Sequence, residues 1–121
     1  MSLDVTLYGK QKGPGCAKCG HAEDFTIEVY SANITHNLNR MAEAAGIYKE
    51  LWRPEELEIS KASQLIEPLR AGLSKLKNDP MKYEAYNSPN GWGKYEHFVP
   101  FVEEYLKACE ENPDAEVRVC R

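Results

Sequence analysis

The chain reads as an α+β domain, a small, mostly antiparallel three-stranded sheet packed by three to four helices, on three observations. Residues 3–8 alternate Leu3, Val5 and Leu7 with Asp4, Thr6 and Tyr8, and residues 25–30 alternate Phe25, Ile27 and Val29 with Thr26, Glu28 and Tyr30. Period two is the mark of a half-buried strand. Between residues 35 and 112 the apolar side chains recur at helical spacing instead, and Val117 and Val119 then alternate with Glu116 and Arg118. Two strands, a run of helices and a closing strand put the helices on one face of the sheet. The last strand must return to the opening hairpin, so the termini should neighbour each other.

At 121 residues one core suffices, and a single domain over residues 1–121 is expected. A hydrophobic share of 42% against 28% charged residues leaves no case for disorder along the bulk of the chain. The net charge of −4 repels nucleic acid and anionic membrane. No stretch approaches the roughly 18 apolar residues of a membrane span, and the N-terminal residues lack the pattern of a signal peptide. The expected location is therefore the cytoplasm, where the Asn33-Ile34-Thr35 sequon would not be glycosylated and the four cysteines would stay free thiols or metal ligands.

The elements follow in order. Residues 9–24 hold four glycines, one proline and two cysteines, which suits the loop at the tip of a hairpin. Thr35 is an N-cap for a helix to about Ala45, with Leu38, Met41, Ala42 and Ala45 inward and Gly46 as its left-handed stop. Residues 47–52 form a short turn, and Arg53-Pro54 with Glu55 and Glu56 suits a single helical turn. Ser60 is positioned to cap a longer helix whose stripe is Leu65, Leu69, Leu73 and Leu76 with Ile66. Pro68 inside it predicts a kink or a later start. Residues 81–86 suit another helical turn. The last helix spans residues 94–112, with Phe98, Phe101, Val102, Tyr105, Leu106 and Cys109 inward and Pro100 bending or breaking it.

Two constellations carry chemistry. Cys16-Ala-Lys-Cys19-Gly-His21 has the spacing of a zinc knuckle, with small residues that let backbone amides face thiolates. A structural zinc held by Cys16, Cys19 and His21 needs a fourth ligand, to be found among His36, His97, Cys109, Cys120 or a carboxylate. The competing readings are a knuckle without metal and a redox pair. The second constellation gathers Asn33, Thr35, His36 and Asn37 at a helix start, where free amides favour an anionic group. Tyr48, Trp52 and Arg53, together with Asn90, Trp92, Tyr95 and Glu96, are expected to complete it, with Arg53, Trp92 and Tyr95 making stacking and bidentate contacts. Capping, surface pairing and stapling of loops by tryptophan are the plainer roles for the same residues. No serine-histidine-aspartate spacing, phosphate-binding glycine loop or nucleophile elbow is present.

The segments NITHNLNRMAEAAGIYKELWRPEE, NGWGKYEHFVPFVEEYL and VRVCR resemble a family of small uncharacterised proteins of bacteriophage and bacterial genomes, over nearly the whole chain. That resemblance implies an accessory or host-defence-countering role and no particular activity. The reading it joins is a cytosolic binding protein for a small polar or anionic ligand, nucleotide-like in kind, or for a protein partner. A zinc-knuckle interaction module and an enzyme using His36 as general base are the alternatives.

Overall fold

The computed structural model describes residues 2–12, 24–87 and 93–121. Strands β1 (Ser2–Lys12), β2 (Asp24–Thr35) and β3 (Glu116–Cys120) form one antiparallel sheet in the order β2-β1-β3. Leu3, Val5 and Leu7 of the middle strand are fully buried, so the alternation of the first residues sets the core face. Asp4 pairs with Cys120, which joins the two ends of the chain as the strand order requires. Both hairpin strands run further than their alternating cores, and β2 continues five residues past Tyr30.

The register shifts between Leu7, which faces Tyr30, and Tyr8, which faces Glu28. Val29 is therefore an extra residue in β2, and one inserted residue reverses the faces of everything beyond it. Tyr30, expected opposite the apolar set, packs with the core instead, and Val29 is 36% exposed. Tyr30 stacks on Tyr105, with ring centroids 5.9 Å apart and planes at 12°. Neither hydroxyl finds a hydrogen-bond partner among the described residues, and burial pushes the Tyr105 phenol far above its ordinary range.

Among the described residues five α-helices follow β2: α1 (Asn39–Ala44), α2 (Tyr48–Trp52), α3 (Ser63–Asn78), α4 (Pro80–Glu84) and α5 (Tyr95–Glu111). Short 3-10 turns, His36–Leu38 and Pro54–Leu57, precede α1 and follow α2. Gly46 closes the first pair with a φ of +80°, the conformation a helix stop needs. α5 carries Phe98, Phe101, Val102, Tyr105, Leu106 and Cys109 into the core, and Pro100 does not interrupt it.

α3 begins at Ser63 and not at Ser60, because the backbone of residues 60–63 is occupied elsewhere. Val117 donates to the Ser60 carbonyl at 2.8 Å, Ala62 donates to Ala115 at 2.9 Å, and Lys61 bridges Glu116. The segment covers the outer edge of β3. Its own amides are capped from inside the helix, since the Gln64 side-chain oxygen accepts from Ser60 and Lys61 at 2.8 and 3.0 Å. Among the described residues no helix is long and apolar enough to cross a membrane.

Candidate functional site

Thr35 ends β2 in extended geometry, and its hydroxyl accepts the Asn37 amide at 3.3 Å. That cap satisfies one of the free amides of the turn and sets where His36 leaves the sheet. His36 is half-buried, and its Nδ1 accepts a hydrogen bond from Trp52 Nε1 at 2.8 Å, the rings lying 6.3 Å apart and tilted by 42°. An indole N–H can only donate, so Nδ1 is the bare nitrogen and the hydrogen of the neutral ring sits on Nε2. One buried tryptophan thereby selects the tautomer and the ring orientation of the histidine.

Trp52 is 2% exposed and is itself flanked. Tyr48, one turn earlier on α2, stacks with the indole at 5.6 Å and 21°. Its hydroxyl accepts from Arg53 Nε at 3.4 Å, and Arg53 Nη1 lies 3.3 Å from a Glu56 carboxylate oxygen. From the other end of the chain, Arg121 Nη1 donates to the Trp52 carbonyl at 2.7 Å and also to the Glu55 carboxylate. Imidazole, phenol, indole and two guanidiniums thus gather where β2 ends and β3 runs out. The two arginines are balanced by two glutamates, so the cluster offers directed donors with little excess charge.

Glu50, on α2 between Tyr48 and Trp52, has one carboxylate oxygen buried without a partner among the described residues. Burial raises its pKa, with its own backbone amide and Lys49 opposing the shift. The folded chain therefore holds this proton more tightly than the unfolded chain. Its contribution is fullest below the ordinary carboxylate range near 4.5 and is lost as pH rises from there through the raised value. Glu50→Gln is expected to stabilise the protein at neutral pH and to lose that advantage at about pH 4. Urea midpoints measured at both values check it, and an equal effect at the two would refute the linkage.

The sequence-predicted residues divide. His36 and Arg53 join the Trp52 cluster, with Thr35 and Asn37 on the adjoining turn. Asn33 lies within β2 and turns to the outer face of the sheet, where its amide nitrogen donates to Ser2 Oγ at 2.9 Å and to the Asp4 carboxylate. Tyr95 is engaged elsewhere: its hydroxyl donates to the Leu76 carbonyl at 2.7 Å, and its amide donates to the Asn87 side chain at 2.7 Å. Trp92 falls outside the described residues. Gly93, next to it, sits against the His36 turn, and a Cβ on Gly93 would meet Asn37 Cβ at 3.0 Å and Thr35 Cγ2 at 3.1 Å. With φ at +103° as well, that position suits glycine alone.

Cys16, Cys19 and His21 also lie outside the described residues. Of the fourth ligands considered for them, Cys109 is fully buried, and burial pushes its thiol up to about 12. It packs in the core on the inward face of α5, as a small hydrophobe does. His97 and Cys120 are exposed, and among the described residues no group of three potential ligands converges. Arg121 and Glu55 are the site residues that sequence reasoning overlooked. Only the Arg53-Pro54-Glu55-Glu56 charge cluster hinted at one of them. No family model, curated protein or solved structure matches this chain.

Proposed function

We propose that this chain is a non-enzymatic binding protein of the cytoplasm that takes a small polar or anionic ligand, nucleotide-like in kind, or a protein partner, on the face formed by His36, Tyr48 and Arg53 over the buried Trp52. The observation that carries the reading is the Trp52-to-His36 hydrogen bond of 2.8 Å. It orients a histidine whose remaining nitrogen is a donor, beside a phenol, a guanidinium and Asn37 on the adjoining turn. Preset donors beside aromatic rings favour a planar ligand with oxygen acceptors. The accessory role in a phage or bacterial setting belongs to this proposal through the sequence resemblance alone.

Thermal-shift and calorimetric measurements against nucleotides and cyclic nucleotides test it, with His36→Asn as the informative variant. Asparagine keeps an acceptor for the Trp52 N–H and removes the Nε2 donor, which separates recognition from folding. A ligand at a hundred times its Kd is expected to stabilise the parent chain by about 2.7 kcal/mol, and the variant by far less. Equal stabilisation of both chains, or none by any of these compounds, would count against the site.

A further inference from the structure

The sheet has two outer edges, and the chain treats them differently. That of β3 is covered by residues 60–63, which exchange backbone bonds with Val117 and Ala115 and bridge Glu116. β2 is the other edge, and among the described residues no backbone group outside β1 bonds to residues 30–34. An open strand edge is a template for another strand, and proteins normally block it with lysine, proline, a bulge or a covering segment. β2 has the bulge at Val29, but residues 30–35, between that bulge and the His36 turn, are Tyr-Ser-Ala-Asn-Ile-Thr and hold no charge, proline or glycine. On the core side of this segment Tyr30 and Ala32 are only partly covered, although both pack against the core.

We propose that β2 pairs with β2 of a second copy of this chain, antiparallel about a two-fold axis at Ala32, so that the three strands of each copy join in one continuous sheet. Opposed residues of an antiparallel pair share a face. Centring on Ala32 therefore sets Tyr30 opposite Ile34 of the second copy on the core side, and Ser31 opposite Asn33 of the second copy on the outer side, where hydroxyl and amide can bond. Centring on Asn33 would bring in Thr35, whose hydroxyl already caps Asn37 and whose methyl lies 3.1 Å from where a Cβ on Gly93 would sit. Centring on Ser31 would bring in the bulged Val29. The nearest charge, Glu28, falls outside the paired segment, so no like charges face each other across it even though each copy carries −4. This self-complementary order selects a second copy over an unrelated strand, because every favourable contact is made twice. The inference does not rest on the ligand-binding reading.

Sedimentation equilibrium on the full chain tests it, at about 0.15 M ionic strength, where net charge is screened beyond about 8 Å. The parent is expected to pass reversibly from monomer to dimer and to stop there, since a two-fold contact closes on itself. Ser31→Lys/Asn33→Lys sets ammonium opposite ammonium twice and is expected to weaken the dimer by about tenfold or more. Ser31→Glu/Asn33→Lys sets opposite charges there and is expected to restore it. Both double variants lose the Asn33 bonds to Ser2 and Asp4 alike, so the difference between them isolates the pairing, and circular dichroism checks that each is folded. Ser31→Lys alone changes an exposed residue and keeps those bonds; it is expected to weaken the dimer by about two- to fivefold. If Asn33→Lys unfolds the chain, the single variant decides, and an unchanged dimer there overturns the inference. A parent still monomeric at about 1 mM, growth beyond two copies, or a charge-paired variant no tighter than the like-charged one would overturn it as well.

Discussion

Trp52→Ala is expected to destabilise the protein by about 3–5 kcal/mol, the range for deleting a buried indole, which is a large part of a typical domain's stability. Its ring is 2% exposed, stacks with Tyr48 and donates to His36. Trp52→Phe separates these roles, since it keeps most of the apolar volume and loses the N–H. That variant should lose about 1 kcal/mol from the unsatisfied His36 acceptor, on top of a modest packing loss. Urea unfolding measures both, with the midpoint moving and the slope constant. A phenylalanine variant as stable as the parent would show that the hydrogen bond contributes nothing net and that His36 is not held by it.

Gly72→Ala should destabilise the protein by about 1–2 kcal/mol, although alanine is the better helix former by about 1 kcal/mol. A Cβ at Gly72 would lie 2.4 Å from Ile47 Cγ2 and 3.1 Å from Ile47 Cδ1. Ile47 is 1% exposed between α1 and α2, so it cannot swing into solvent. Overpacking of this kind typically costs about 1–3 kcal/mol. The partner test is Ile47→Ala, which alone should cost about 2–5 kcal/mol. The double variant should be more stable than the two losses added together, because each relieves the other. Strict additivity, or a Gly72→Ala chain more stable than the parent, would mean that α3 does not approach Ile47 so closely.

Gly72 also shows where pattern reading stopped. The stripe of α3 was legible as Leu65, Leu69, Leu73 and Leu76, yet Gly72 is the buried position and Leu73 only partly so. Spacing identifies an apolar face but not the line along which a second helix comes nearest. In β2 the alternation around Tyr30 was legible and its direction was not, since the unpaired Val29 that reverses it is defined only by pairing with β1. The cluster around His36 divides in the same way. Thr35 as a cap and Gly46 as a stop follow from local backbone chemistry, whereas the Trp52 N–H reaching His36 and the Tyr95 hydroxyl reaching Leu76 join residues 16 and 19 positions apart.

By itself the sequence determined the α+β class, the alternation of β3 and nearly the bounds of α5, the core face of β1 and the turn that presents His36. These depend on interactions within a few residues: alternation, helical period, capping and glycine geometry. Tertiary structure alone decided that Asn33 turns to the outer face with Asp4, that Ser60 serves the edge of β3 before α3 begins, and that Arg121 meets Trp52 and Glu55. Each of those contacts closes a long loop of chain, and its geometry is set by the packing of whole elements, which no local pattern encodes.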